Sequence, residues 1–350
     1  MQQPTYDEQI TMKNEMKLRE LCAGLPAFCK EFFRGIEPTT SSRTRIAYAY
    51  DLKIFFHFLQ EKYPNIEESD LQNWPVTVLD KVTLTQLEEY LDYLRLYEDA
   101  ENKVHTNEER GRMRKTASIR TFYKFFYRKQ VIKNNTASLL NLPKKHEHAI
   151  VRLEIDEIAK LLDAVEEGYN LTKSQKKYHN KTKIRDLAIL TLLLGTGIRV
   201  SECVGIDISN LDFETNGMKI HRKGGADVIL YFGEEVREAL LDYLEEREKI
   251  IPKEGSEDAL FLSMQKRRIS VRAVENLVKK YARPVTPLKT ITPHKLRSTY
   301  GTQLYQETGD IYLVADVLGH KDVNTTRKHY AAMEDQRRRM AAGKVQLREK

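Results

Sequence analysis

From Ser41 onward the apolar residues of this chain recur at helical spacing, and one short stretch breaks the pattern, which makes a mainly helical protein the expected fold. Tyr48, Leu52, Phe55, Phe56 and Leu59 line one face of a helix that Ser41 or Ser42 can cap. A second helix opens near Thr83 and carries Leu84, Leu87, Tyr90, Leu91 and Leu94. A third covers roughly 107–130 with Ile119, Phe122 and Phe126 inward, and a short fourth covers Thr136 to Leu140. Further helices are predicted at Ile155 to Val165, Arg185 to Leu194, Glu234 to Glu248, Val271 to Ala282, from Thr292-Pro293, and at about 311–318 and 325–348. The exception is a pair of β-rich runs, Met218 to Arg222 and Asp227 to Phe232, about Lys223-Gly-Gly-Ala226, a hairpin pattern. Gly168 to Thr182, polar and Lys-rich, reads as an exposed loop. The fold class is therefore mainly α: a helical N-terminal domain, then a mixed α/β domain with a small β-sheet.

A length of 350 residues fits two domains. The polar, Pro-containing Asn141-Leu-Pro-Lys-Lys-His-Glu-His148 ends the first helical pattern. The expected division is a lead-in over 1–40, a helical domain over 41–143, a linker over 144–150, and a second domain over 151–350 with a tail helix at about 334–350. Cys22, Cys29 and Cys203 are too few and too scattered for a disulfide framework or a zinc site, which fits a reducing compartment. The first residues are polar, and the longest apolar run, Leu187 to Leu194, falls far short of the ~18 residues of a membrane span. The expectation is a cytoplasmic protein without a membrane partner.

Lys plus Arg number 58 against 51 Asp plus Glu, a net charge of +7, and the excess is clustered. Between 107 and 130, Arg110, Arg112, Arg114, Lys115, Arg120, Lys124, Arg128 and Lys129 face only Glu108 and Glu109. Other clusters are Arg43/Arg45, Lys176/Lys177/Lys181/Lys183, Lys266 to Arg268 and Arg337 to Arg339. Such patches point to a polyanion, nucleic acid foremost, with solvated helix faces as the plain alternative. Arg43, Arg45, Arg112, Arg114, Lys115, Arg120 and Lys124 are the candidate DNA contacts.

Four segments of the second half could carry chemistry. Gly195-Thr-Gly-Ile-Arg199-Val-Ser-Glu202 puts an arginine after a Gly-rich helix end; a plain salt bridge to Glu202 is the alternative. His294-Lys-Leu-Arg297 places two groups at i, i+3 near a helix N-terminus, which favours an anion. Leu318-Gly-His320 reads alone as a helix cap, and Tyr330 in Asn324-Thr-Thr-Arg-Lys-His-Tyr330 as a surface residue.

Taken in order, with a lysine in the hairpin between them, these segments resemble the catalytic boxes of the tyrosine recombinases, the phage-integrase superfamily. The boxes read TGIRVSE, RKGGADV, HKLRSTYGTQL and LGHKDVNTTRKHY, and the likeness covers roughly 150–335. The helical domain resembles the family's SAM-like core-site DNA-binding domain in topology and basicity. The simple architecture is most similar to Xer-type single-protein chromosomal recombinases.

That resemblance implies a catalytic set of Arg199, Lys223, His294, Arg297, His320 and Tyr330. Tyr330 would form a 3′-phosphotyrosine and release a 5′-hydroxyl. Arg199 and Arg297 would clamp the non-bridging oxygens, a task for planar forks of permanent charge. Lys223 would protonate the leaving 5′-oxygen, with Arg222 the fallback; the turn Lys-Gly-Gly-Ala-Asp is less basic than is common in relatives. His294 would assist Tyr330 or orient the phosphate, and His320 would donate a hydrogen bond to it; a phenol of pKa about 10 needs such help. No metal, cofactor or nucleotide is implied, because the arginines supply the charge and the phosphotyrosine conserves the bond energy. The implied partners are double-stranded DNA with a palindromic core site and a homotetramer on two duplexes, its C-terminal helix exchanged between protomers; an accessory activator is left open. Chromosome dimer resolution is the leading role. Integration or excision of a mobile element, a type IB topoisomerase-like enzyme and a non-catalytic DNA-binding module are the alternatives.

Overall fold

The computed structural model describes residues 5–99, 102–141, 151–222, 226–320 and 323, and it divides into two units, Met1–Glu147 and His148–Lys350. In the first unit the helices are α1 (Tyr6–Ala23), α2 (Cys29–Ile36), α3 (Ser42–Lys62), α4 (Val78–Lys81), α5 (Leu84–Tyr93) and α6 (Glu109–Arg128). The starts of α3 and α5 follow from local chemistry. The Ser41 hydroxyl accepts from the Thr44 N–H at 3.2 Å, and Thr83 and Gln86 satisfy each other's backbone N–H groups. A small antiparallel hairpin absent from the sequence-based expectation, β1 (Leu96–Glu98) and β2 (Val104–Thr106), joins α5 to α6.

Within the stretch expected as a lead-in over 1–40, α1 and α2 belong to this core. Leu18, Leu21 and Cys22 of α1 and Cys29, Phe32, Phe33 and Ile36 of α2 are buried in one cluster with Phe55, Phe56, Phe122 and Phe126. Phe32 meets Phe122 edge-on at 5.0 Å between ring centroids, an arrangement that adds to the area term. Each buried Leu, Ile or Phe side chain contributes on the order of 1.5–3 kcal/mol, so α1 and α2 are held by packing rather than by helix propensity.

The second unit holds α7 (Ile155–Glu167), α8 (Lys173–Thr196), α9 (Val200–Gly205), α10 (Glu234–Glu248), α11 (Val271–Val285), α12 (Pro293–Thr308) and α13 (Ile311–Leu318). Its sheet is antiparallel in the order β3 (Leu211–Asp212), β4 (Gly217–His221), β5 (Asp227–Tyr231). Helix α8 is the centre: Ala188, Ile189, Leu190, Leu192 and Leu193 are buried, and α7, α10 and α12 pack against it.

Most of the stretch expected as a loop over Gly168 to Thr182 is the first half of α8. Thr172 and Gln175 form a reciprocal cap, and the inward residues are polar. The buried Asp186 accepts from Thr182 at 3.0 Å, from Tyr281 at 3.1 Å and from Arg185 at 2.6 Å, and His179 meets the Tyr281 hydroxyl at 3.2 Å. The lysines at 173, 176, 177, 181 and 183 stay exposed. Thr172→Ala should destabilise this helix start by about 1 kcal/mol, measured as roughly five-fold faster amide hydrogen exchange across its first turn.

All three cysteines are buried and unbonded; burial pushes the Cys203 thiol up to about 12. Among the described residues no helix is long and apolar enough to cross a membrane, and no cluster of His, Cys, Asp and Glu could hold a metal ion.

Candidate active site and nucleic-acid interface

Helix α8 ends at Gly197 in the left-handed conformation (φ +61°), its N–H returned to the Leu193 carbonyl. A side chain there would be strained, and its Cβ would stand 2.4 Å from the Tyr300 ring. The turn delivers Arg199 to the start of α9. Its backbone N–H donates to Glu202 at 2.8 Å, its Nη1 to Glu202 at 2.7 Å and its Nη2 to the Gly319 carbonyl at 3.1 Å. The salt bridge to Glu202 is therefore present, but it orients the guanidinium, which remains one-third exposed.

Arg297 reaches the same place from α12. It is buried, with Nη1 donating to the Gly197 carbonyl at 2.6 Å and Nη2 to the Leu318 carbonyl. Pro293 occupies the first helical position of α12 with Thr292 as N-cap. His294 lies on that first turn and is exposed while Arg297, three residues on, turns inward. His320 follows the end of α13, its N–H held by the Ala315 carbonyl at 2.9 Å. The two arginines, about 100 residues apart in sequence, are thus braced on adjacent carbonyls immediately before His320. Helix-terminal carbonyls without intrahelical partners are well suited to hold guanidinium groups. The Arg199 fork has five N–H donors, more than these contacts use.

Lys223, Tyr330, the linker over 144–150, Arg337 to Arg339 and the tail helix lie outside the described residues. Arg222 is described. Its Nη atoms donate to the Asp316 and Val317 carbonyls at 3.1 and 2.7 Å, so the fallback acid is fastened to protein, and a guanidinium is a poor proton donor besides.

In the first unit the candidate DNA contacts separate. Arg45 is buried, bound to Glu15 and to the carbonyls of Glu37 and Thr40. Lys115 is buried beside Asn107 and Asp51, and Arg112 is half-buried. Arg43 and Lys124 are exposed and Arg120 partly so. Arg114, bidentate to the buried Asp51 at 2.6 and 2.7 Å, keeps 47% of its side chain exposed. Projection at 3.6 residues per turn puts Arg110, Arg114, Ala117, Lys124 and Arg128, all exposed, within roughly a quarter turn of α6. Arg110 and Arg128 thus share one exposed face with Arg114 and Lys124 through the helix period, which a count of charges does not register.

Two internally braced arginines, one buried and one a third exposed, thus meet at the helix end that precedes His320, in a mainly helical unit that follows a helical one with a basic stripe on α6. Comparison with known proteins gives the family. The phage integrase family matches residues 151–337. A tyrosine recombinase XerC of Caldanaerobacter subterraneus subsp. tengcongensis is 34% identical over 318 residues, 88% of this chain and 82% of that one. A tyrosine recombinase XerC of Leptospira interrogans is 30% identical over 292 residues, 83% of this chain and 84% of that one. In fold, the chain is similar to the XerH site-specific recombinase bound to its difH substrate, with a TM-score of 0.60 at 18% identity, covering 85% of this chain and 80% of that one. The chain belongs to the phage integrase family, the tyrosine recombinases, and is an enzyme that breaks and rejoins DNA strands.

Proposed function

We propose that the chain resolves chromosome dimers as a cytoplasmic homotetramer on two copies of a palindromic core site, exchanging strands through Tyr330. The phenolic oxygen of Tyr330 attacks the scissile phosphorus as His294 accepts its proton. The bond to the 5′-oxygen breaks, Lys223 protonates that oxygen, and the 3′-phosphate stays on tyrosine. Rejoining reverses each step with the 5′-hydroxyl of the partner strand. Arg199 and Arg297 hold the non-bridging oxygens, and His320 donates a third hydrogen bond.

The observation that carries this reading is the convergence of Arg199 and Arg297 on the Gly319 and Leu318 carbonyls. Charge fixed before the substrate arrives needs no reorganisation during the reaction, the condition under which electrostatic stabilisation is largest. The Xer relatives support the chromosomal role over that of a mobile element. Denaturing capture of protein–DNA adducts from the native host, with sequencing of the attached DNA, tests the proposal. One enriched palindromic site, absent with Tyr330→Phe, is expected. Adducts scattered without sequence preference would overturn it in favour of a topoisomerase, and flanking attachment repeats in favour of a mobile-element enzyme.

The exposed stripe of α6 gives a separate expectation. Binding of a nonspecific duplex should weaken steeply with salt, and Lys124→Ala should reduce the log–log slope by about 0.9, one phosphate contact. A salt titration by fluorescence anisotropy checks this.

A further inference from the structure

Arg222 stands where the β4–β5 hairpin enters its turn. The hairpin is closed by His221 and Lys219, both against Asp227 at 2.8 and 2.7 Å, and by the Arg222 N–H donating to the Ala226 carbonyl at 2.9 Å. Its side chain leaves the hairpin for the last turn of α13, where Nη1 and Nη2 take the Asp316 and Val317 carbonyls. The next two carbonyls, of Leu318 and Gly319, are those that brace Arg297 and Arg199. Four consecutive carbonyls at one helix end are thus held by three guanidinium groups from three separate segments. Gly319 is part of the arrangement: its φ is +60°, and a Cβ there would stand 2.2 Å from the Arg222 Nη1.

We infer that Arg222 is a positioning residue for departure of the 5′-oxygen. It fastens the described end of the hairpin to the same helix end that braces Arg297 and Arg199, and Lys223 is the next residue in the chain. This rests on the reading of Lys223 as the acid. Both terminal nitrogens of Arg222 are taken by carbonyls, so its effect is exerted through the chain, by holding the residue before the acid in the frame of the two arginines.

The test is single-turnover cleavage of a duplex carrying the captured site, made once with the normal 5′-oxygen and once with sulfur bridging phosphorus to the 5′-carbon. In both, the Tyr330 oxygen bonds to phosphorus. The oxygen leaves by taking a proton from the acid, whereas sulfur leaves as a thiolate and needs none. Arg222→Ala should slow the oxygen substrate about 10–100-fold, the range for losing a partner that orients a reacting group. Its duplex affinity should stay within about two-fold of the wild type, and its rate on the sulfur substrate within about three-fold, limits set well inside that range. Arg222→Lys, which keeps a cation at the helix end, should lose less on oxygen.

Wild-type speed of Arg222→Ala on oxygen would overturn the inference. So would equal slowing on both substrates, the result of a displaced helix end or a disturbed arginine clamp. Lys223→Ala, run in parallel, separates the two levels. If sulfur restores Lys223→Ala but not Arg222→Ala, only the positioning role falls. If sulfur fails to restore Lys223→Ala, the acid assignment is wrong and the positioning role falls with it.

Discussion

Arg297→Ala should slow formation of the covalent protein–DNA adduct by about 10²–10³-fold, the cost of losing one preorganised donor to developing negative charge, roughly 2.7–4 kcal/mol. Arg297→Lys should fall in the same direction, because a single ammonium cannot hold two diverging carbonyls and still present a fork to phosphate. The prediction follows from how Arg297 is seated. Its guanidinium is buried and fixed by the Gly197 and Leu318 carbonyls, one at the end of α8 and one at the end of α13. Truncation also leaves those two buried carbonyls short of a donor, at about 1–3 kcal/mol. The stability loss and the catalytic loss must therefore be read separately. Thermal melts report the first, and single-turnover adduct formation at a temperature where the variants stay folded reports the second. Duplex binding at fixed salt should change far less than the adduct rate, since Arg297 is one contact among many. An adduct rate within a few-fold of the wild type for both variants would remove Arg297 from the phosphate clamp.

The elements that were legible beforehand are those whose signal is local. Ser41 and Thr83 announce helix starts through side chains that reach only three residues, and Gly197 ends α8 through its own backbone angles. The hairpin and α10 likewise follow from nearby residues. Long-range pairing is where such reading stopped. The start of α8 was hidden because its inward residues are polar, and His179, Thr182 and Asp186 are satisfied by Tyr281 on α11, about 100 residues away. Cys29, Phe32, Phe33 and Ile36 do carry an apolar helical period, which the polar sequence around them masks. At the site, the order of the motifs nominates Arg199 and Arg297 as partners, and the structure holds both at one helix end. The bracing of three arginines on four carbonyls is a tertiary fact that no spacing encodes. Charge counting failed at Arg45 and Lys115 for a related reason: a long basic side chain can turn toward an internal carboxylate or carbonyl as readily as toward solvent.

Asp51→Ala should destabilise the first unit by about 3 kcal/mol, the lower end of what breaking a buried ion pair costs. Asp51 is fully buried, and both its oxygens accept from Arg114, with the buried Lys115 at 3.9 Å. The lower end applies because Arg114, half-exposed, can rehydrate and Lys115 keeps a hydrogen bond to Asn107 at 3.1 Å. Asp51→Asn should lose about half as much, since the amide fills the space and retains one acceptor. The reverse truncation is the sharper test. A merely superficial cation would cost under about 0.5 kcal/mol when removed, whereas Arg114→Ala strands a buried carboxylate and should cost several times that. Burial already pushes the Asp51 carboxyl above its ordinary range, against the pull of Arg114 and Lys115. Removing Arg114 raises it further, and the sign of the pH effect follows. A carboxyl whose native pKa lies above its unfolded value is least costly below the unfolded value and most costly once pH has passed the native one. The penalty of Arg114→Ala should therefore be full at neutral pH and shrink as pH falls toward about 4. Trp74 makes the measurement specific: it is the chain's single tryptophan and is buried in the first unit's core, so its fluorescence in a denaturant titration follows that unit. A pH-independent loss below 0.5 kcal/mol for Arg114→Ala would show that the pair does not hold α3 to α6.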